Sequence, residues 1–306
     1  MALFLHVSDL ASHFPSGCNI LPVTATVPPV ATCNQIVPLP RPALSWRTTL
    51  LFAVASGVAV SNIYLAQPLL ATLSDDFGIS AATVGAVVTL TQVGYGLGLF
   101  FLVPLGDLVD RRRLVVTQMV LLVATLAAVG TAASAPILLT ALAATGFLAV
   151  VTQSLMAFAA SLAEPVRRGR VVGVVTSGIV TGILLARTVS GALADLAGWR
   201  AVYLCSAALT LLLTLALHRV LPRAAKEPAA APRLAYGALL RSTLALFAEE
   251  RVFRIRALFA LLIFAAFSTL WSCVALPLSE PPLSLSHTAI GAFGLAGAAG
   301  ALAAAP

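Results

Sequence analysis

Apolar residues along this chain form eight long runs that are separated by short polar segments. The runs cover residues 48–72, 83–105, 114–133, 137–161, 171–194, 200–221, 255–278 and 287–305. A helix of about 20 apolar residues spans the ~30 Å hydrocarbon core of a bilayer, and the runs lack the alternation of a membrane β-strand. Because lipid offers the backbone no hydrogen-bond partner, the runs predict eight transmembrane helices.

The composition supports the same interpretation. Hydrophobic residues make up 60% of the chain, charged residues make up 9%, and the mean hydropathy is +1.02. Soluble domains carry about 25% charged residues. So little polar surface cannot cover a water-soluble globule, and the predicted fold class is an all-α membrane protein.

The basic residues between the runs predict the orientation of the chain. With a cytoplasmic N-terminus, 16 of the 18 basic residues fall in cytoplasmic segments, while Arg200 falls outside and Arg187 lies within a run. Cytoplasmic loops are the ones that carry excess Lys and Arg. We therefore expect a multi-pass protein of a bacterial inner (plasma) membrane, surrounded by the lipid bilayer. The basic clusters are short and lack interleaved aromatic residues, so nucleic acid is not an expected partner.

Two segments differ from this pattern of runs. Residues 1–44 are rich in Pro, Ser, Thr and Val, and we interpret them as a mobile tail or as sequence upstream of the true start. Residues 222–254 are a basic cytoplasmic loop that begins with a Pro/Ala linker. The apolar residues Leu239, Leu240 and Leu244 in this loop share one side of a predicted helix. That helix is either a solvated linker or an interfacial helix on the anionic inner leaflet.

A weak internal repeat organises the runs into two halves. The segment "FGISAATVG" at 77–85 matches "LSLSHTAIG" at 283–291, and Ser80 and Ser286 stand where each following helix needs an N-cap. The repeat predicts a six-helix N-terminal bundle over 45–221. Residues 255–306 then hold the first two helices of an incomplete C-terminal bundle. A complete second copy needs four more helices, so we expect a sequence that is truncated after the eighth helix.

A charged loop between the second and third runs carries the most specific motif. It reads "GDLVDRRR", and Gly106, Leu108, Asp110 and Arg111 match the signature G-x-L-A-D-R-x-G-R-K of the major facilitator superfamily. Two six-helix halves joined by a long basic loop also resemble that family, over about residues 45–306. The segments "NIYLAQPLLATLSDDFGIS" and "GILLARTVSGALADLAGWRAVY" are similar to its bacterial arabinose-efflux and multidrug-efflux members.

The resemblance implies a role for this loop. In the family, the signature aspartate faces a helix N-terminus of the opposite half, and the arginines join an ion-pair latch that holds the cytoplasmic side shut. The implied latch residues are Gly106, Asp107, Asp110, Arg111, Arg112 and Arg113. The alternative is a basic turn that only fixes topology, with Asp110 capping the third helix.

The fifth run carries a stripe of small residues. It aligns with a second family signature, G-x-x-x-G-P-x-x-G-G, which is typical of antiporters, and Arg187 stands at the proline position. Small side chains allow a partner helix to approach closely. The helix-packing stripe consists of Gly178, Gly182, Ala186 and Ser190 and continues to Ala194.

Polar residues inside the runs are the candidates for substrate binding. Arg187 is the only charged residue deep in a run, and an intramembrane charge indicates function; the alternative is a side chain that snorkels to the outer face. A midplane cavity lined by polar groups is typical of transporters, whereas interhelical hydrogen bonding is the structural alternative. The candidate substrate-binding residues are Asn62, Tyr64, Gln67, Gln92, Tyr95, Gln153, Arg187 and Trp271.

These features predict a secondary active transporter that exports small molecules by alternating access. The alternative is a transport-incompetent fragment of such a transporter. The runs contain no Asp or Glu to carry protons, so proton coupling is left open, and His287 is expected at the outer surface. We find no Walker loop, metal-ligand cluster or catalytic constellation, and therefore expect no cofactor, no metal and no enzymatic activity. A monomer is favoured over two complementing chains.

Overall fold

The computed structural model describes residues 45–221, 236–273, 277–278, 283–290 and 292. Within these ranges every regular element is a helix, which confirms the all-α prediction. The helices are α1 Trp46–Ser61, α2 Leu70–Phe77, α3 Ala81–Phe101, α4 Arg111–Gly130, α5 Ala135–Ala149, α6 Val151–Leu162, α7 Arg168–Ala197, α8 Trp199–Val220, α9 Tyr236–Glu249 and α10 Arg251–Cys273.

Six helical segments of the described chain are long and apolar enough to cross a membrane. They correspond to the second to seventh predicted runs and cover Gly85–Asp107, Arg111–Gly130, Ala135–Leu162, Pro165–Ala197, Trp199–Val220 and Arg251–Leu270. The fourth run is divided at Val150 between α5 and α6. The predicted tail 1–44, the linker residues 222–235 and most of the eighth run lie outside the described residues.

The first predicted run is a broken helix. Helix α1 ends at Ser61, residues 62–66 form turns, and a short 3-10 helix at Gln67–Leu69 leads into α2. Pro68 lacks the N–H group that a continuous α-helix needs at this position. The break leaves the Leu65 carbonyl free of the helix ladder, and the Ser190 hydroxyl of α7 donates a hydrogen bond to it at 2.7 Å.

Helices α1 and α7 meet backbone to backbone along the stripe of small residues. A Cβ atom added to Gly182 would lie 2.2 Å from the Gly57 carbonyl oxygen, and one added to Gly178 would lie 2.3 Å from that of Ala53. The Ser61 hydroxyl donates to the Gly182 carbonyl at 2.9 Å. Any side chain larger than hydrogen at these glycines would force the two helices apart.

The remaining helices of the first half surround this pair. Helix α3 packs on α5, and α4 packs on α8. Ser80 caps α3 by accepting from the Thr83 N–H, as the sequence predicts. The core between the helices is apolar, with fully buried Phe52, Met119 and Leu155.

Helix α9, Tyr236–Glu249, lies within the predicted basic loop. The Tyr236 hydroxyl at its start donates to the Phe101 carbonyl at 2.8 Å, which ties α9 to the end of α3. Leu244 and Phe247 of α9 are exposed. The solvated and the interfacial alternatives both remain predictions for this helix.

We predict that Gly182→Val destabilises the fold, because its side chain would overlap Gly57. Overpacking of this kind costs about 1–3 kcal/mol. Gly173→Val is the matched control, since a Cβ atom at Gly173 of the same helix meets nothing within 4 Å. Thermal unfolding of the detergent-purified variants measures the difference. Equal unfolding temperatures for the two variants would contradict the close helix contact.

Candidate functional site

Arg187 lies in the interior of the helix bundle. Its residue surface is only 2% exposed, although it carries a full positive charge. The Nε atom donates to Gln67 Oε1 at 2.7 Å, and Nη1 donates to the Ile183 carbonyl at 3.2 Å. The guanidinium carbon also lies 4.9 Å from the centre of the Tyr64 ring, within the range of a cation–π contact. The guanidinium is therefore held inside the protein and does not extend to the surface.

The broken helix and the small-residue stripe together position this group. Tyr64 and Gln67 belong to the irregular segment after α1, whose side chains leave the helical register. The close approach of α1 and α7 brings Arg187 into contact with Tyr64 and Gln67. A buried charge is costly unless it is hydrogen-bonded, and here an amide oxygen, a backbone carbonyl and an aromatic face contact the guanidinium. We call Tyr64, Gln67 and Arg187 the central cluster.

A second polar contact joins α3 and α6. The Gln153 Nε2 atom donates to the Tyr95 hydroxyl at 3.4 Å, and both residues are half-buried. Gln92 is half-buried and lies one turn before Tyr95 on α3. The backbone of Trp271 belongs to α10, and its side chain lies outside the described part.

Asn62 contacts a different helix from the central cluster. Its Oδ1 atom accepts from the Ser206 hydroxyl of α8 at 2.6 Å, and its Nδ2 atom donates to the Val58 carbonyl at 3.1 Å. Ser206 was not among the predicted site residues, because a single serine in an apolar run gives no signal. The geometry of Asn62 is that of an interhelical hydrogen bond.

In the charged loop, Asp110 caps α4. Its Oδ1 atom accepts from the Arg113 N–H at 2.7 Å. This is the geometry of an N-cap, in which a side-chain oxygen satisfies an orphan N–H of the first helical turn. The contact fits the alternative in which Asp110 caps the third transmembrane helix. Only Oδ1 of Asp110 is used in this cap.

The arginines of this loop contact their own half of the chain. Arg111 donates to the Gly106 carbonyl at 3.2 Å and lies 3.4 Å from Asp107. Arg112 donates to the His218 carbonyl at the end of α8 at 2.6 Å. These contacts tie the loop between α3 and α4 to the end of α8.

At the opposite end of the bundle, Asp76 of α2 contacts the start of α8. Its Oδ2 atom accepts from Trp199 Nε1 at 2.6 Å and from Arg200 at 2.9 Å. The hydrogen bond from Trp199, followed by that from Arg200, holds the pKa of Asp76 below its usual range. Asp76 lies beyond the apolar run 48–72 and is solvent-accessible.

His287 lies at the same end and is engaged on both ring nitrogens. Nδ1 is 2.6 Å from Asp195 Oδ1 of α7, and Nε2 is 2.7 Å from the Thr72 hydroxyl of α2. Thr72, Asp76, Arg200 and His287 line a cleft of about 340 Å³. The sequence predicted a surface histidine, but the side chain is only 28% exposed. Sequence reasoning missed the contact because Asp195 is 92 positions away.

The chain is similar to proteins that are named as transporters. The sequence profile of the Major Facilitator Superfamily matches residues 51–306. The chain is 45% identical over 252 residues to the Escherichia coli O157:H7 protein named uncharacterized transporter YgaY, with 82% of this chain and 63% of the relative covered. It is 37% identical over 253 residues to the Streptomyces coelicolor probable transporter SCO4007, with 81% and 57% covered. These names agree with the prediction that the chain is not an enzyme.

Two further similarities concern a multidrug protein and a solved structure. The chain is 30% identical over 189 residues to multidrug resistance protein D of Escherichia coli, with 60% of this chain and 46% of the relative covered. A bacterial homologue of the human lysosomal transporter Spinster superposes with a TM-score of 0.63 at 16% identity, with 81% of this chain and 57% of that structure covered. The chain thus spans about three fifths of the length of its curated relatives.

We predict that the Asp76 contacts stabilise the fold at neutral pH and are lost in acid. Because the folded-state pKa of Asp76 is lowered, this stabilisation is present above the ordinary aspartate pKa of about 4 and disappears as the pH falls through the lower folded value. The group is accessible to water, so its contribution is about 1 kcal/mol or less.

Thermal unfolding between pH 7 and pH 3 checks this prediction with wild type and Asp76→Asn. The variant should lose stability at pH 7 and converge with wild type at low pH. Asp75→Asn on the same helix is the matched control. A constant difference between wild type and Asp76→Asn at every pH would contradict the prediction.

Proposed function

Because the chain belongs to the major facilitator superfamily, we propose that it exports small molecules across the bacterial inner membrane by alternating access. In such transporters two helical bundles rock about a site near the bilayer midplane. The observation that supports this most directly is the central cluster, where a buried cation lies in the interior of the first bundle. Two of the similar proteins are named as an uncharacterized transporter and a probable transporter, which supports a transport function.

The proposed orientation places the arginine-rich end in the cytoplasm. Arg112 lies at this end beside the end of α8, and Arg170 lies over the Trp46 ring at 5.9 Å from its centre. An excess of arginine is typical of cytoplasmic loops. The end that carries Asp76 and His287 then faces outward.

The central cluster is the proposed substrate contact. Arg187 supplies a positive charge and several donors, Gln67 supplies an amide, and Tyr64 supplies an aromatic face. A substrate that carries an anionic or strongly accepting group suits this set, because it can replace Gln67 as the partner of Arg187.

The other polar residues extend the proposed pathway. Tyr95 and Gln153 form a bond at 3.4 Å, which is long and therefore weak. A weakly bonded pair is a suitable hydrogen-bonding partner for a polar substrate. Gln92, Asn62 and Trp271 are further proposed contacts of the substrate.

The charged loop is the proposed cytoplasmic latch. The cap on Arg113 N–H uses Oδ1 of Asp110, so that Oδ2 can meet a helix N-terminus of the opposite half. Arg111 is already paired with Asp107 within the loop. Capping and latching are thus compatible roles for this aspartate.

We predict that Arg187→Gln lowers export of an anionic probe by about tenfold or more, since a hydrogen bond to a charged group contributes about 1.5–3 kcal/mol. Cells that express the chain are loaded with carboxyfluorescein, and the loss of dye is followed. Arg168→Gln is the matched control, because Arg168 is exposed at the start of the same helix. Unchanged export by Arg187→Gln would remove Arg187 from the site.

Everted membrane vesicles test whether transport is coupled to protons. Proton antiport predicts that vesicles containing the chain accumulate carboxyfluorescein when the interior is acidic, and that a protonophore abolishes the uptake. Uptake that is indifferent to the protonophore would exclude proton antiport. Absence of uptake with and without the gradient would instead favour the transport-incompetent fragment, because this chain covers only 63% of its relative's length.

A further inference from the structure

A group of hydrogen bonds joins α2 and α7 to the segment 283–290. We call its four residues, Thr72, Asp195, His287 and Thr288, the histidine clasp. We propose that the histidine clasp closes the outer end of the transport pathway and that the charge on His287 sets how tightly it closes. This inference rests on the proposed function and orientation, and it adds a gating contact that the central cluster does not supply.

Asp195 is the centre of the histidine clasp. Its Oδ1 atom lies 2.6 Å from His287 Nδ1, and its Oδ2 atom accepts from the Thr288 N–H at 2.9 Å and the Thr288 hydroxyl at 2.6 Å. An ionised carboxylate is acceptor-only and can serve several donors at once. The donors come from the segment 283–290, and the acceptor comes from α7.

The backbone also fits closely at this contact. A Cβ atom added to Gly191 would lie 2.2 Å from the His287 carbonyl oxygen. The segment therefore rests directly on α7, one turn before Asp195. Ser286 caps the short helical turn that follows by accepting from the Ala289 N–H at 3.2 Å. The two halves are thus in contact through both backbone and side chains.

Histidine suits this position because both ring nitrogens are used. In the neutral ring, Nδ1–H donates to Asp195 and Nε2 accepts from the Thr72 hydroxyl. In the protonated ring both nitrogens donate, and a full ion pair with Asp195 is added. Both charge states keep the contacts, but the protonated state binds Asp195 more strongly. Histidine changes charge between about pH 5 and 8.

The other charged groups around His287 compensate one another. Asp76 of α2 and Arg200 of α8 line the same cleft and form an ion pair at 2.9 Å. Among the described residues, Asp195 of α7 is then the remaining charge opposite His287. Protonation of His287 neutralises that charge, so acid on the outer side should tighten the histidine clasp.

The location separates this role from proton transport. His287 lies at the end of the bundle opposite the arginine-rich loops, and it is engaged with Asp195 at that end. A group there senses the outer pH without carrying a proton across the membrane. The expected effect is slower outward opening, and hence slower release, when the outer solution is acidic.

The test measures whether the residue beneath the histidine clasp is reachable from outside. Ala194 lines the cleft and is 8% exposed, so Ala194→Cys becomes reactive only when the outer end opens. The background replaces by serine the native Cys18, Cys33, Cys205 and Cys273. Intact cells are treated with a membrane-impermeant maleimide at pH 6 and pH 8, and labelling rates are compared with those of the same cysteine in His287→Asn.

His287→Asn keeps a donor near the Nδ1 position but cannot become charged. Because the cysteine is the same, intrinsic thiol reactivity cancels in the ratio. The measured ratio is the labelling rate of Ala194→Cys with His287→Asn divided by that of Ala194→Cys alone, the parent. This ratio should be about two- to fivefold larger at pH 6 than at pH 8, the range expected of a partly exposed ion pair. His287→Ala and Asp195→Asn should label faster than the parent at pH 6.

Two results would overturn the proposal. Equal labelling of the parent and His287→Ala would show that the clasp does not close the outer end. Identical pH profiles of the parent and His287→Asn would refute the role of charge. Ala133→Cys in the exposed turn between α4 and α5 is the control that should not respond to His287 variants. The labelling needs no substrate, so its result is independent of whether cells show export.

Discussion

Polar groups inside a bilayer must find their partners within the protein, because hydrocarbon supplies none. The broken first helix of this chain shows how that constraint is met. The helix ladder is interrupted near Pro68, and the Ser190 hydroxyl takes up the Leu65 carbonyl that the interruption leaves. The guanidinium of Arg187 donates to Gln67 and to the Ile183 carbonyl of its own helix. The broken segment of the first helix therefore supplies two contacts of the buried cation, the Gln67 amide oxygen and the Tyr64 ring.

Much of the helical framework could be predicted from the sequence. The run 200–221 corresponds to α8 at Trp199–Val220, because long apolar stretches have few alternatives in lipid and arginines cannot remain in hydrocarbon. The break after Ser61 was not predicted, although Pro68 lies within the first run. A proline within a run permits either a kinked or an interrupted helix, and the choice here depends on Ser190, which lies 125 positions away from Leu65.

The site was predictable residue by residue but not as a set of contacts. Tyr64, Gln67 and Arg187 were all candidates, because polar groups in apolar runs are conspicuous. Their mutual contacts depend on how α1 lies against α7, and Asn62 contacts α8 instead. His287 gave little signal, since a histidine beside a polar turn looks like surface until Asp195 is brought next to it. Contacts between residues that are far apart in the sequence leave no periodic pattern from which they could be predicted.

The contact between α1 and α7 has a mechanical consequence. At Gly182 a glycine faces the Gly57 carbonyl oxygen with no side chain between them. No side chain can rearrange there to accommodate a shift of one helix against the other. We therefore expect α1 and α7 to tilt together as one rigid unit. Gly191 of α7 makes a similar close contact with the His287 carbonyl, so a tilt of α7 would also displace the segment that carries His287.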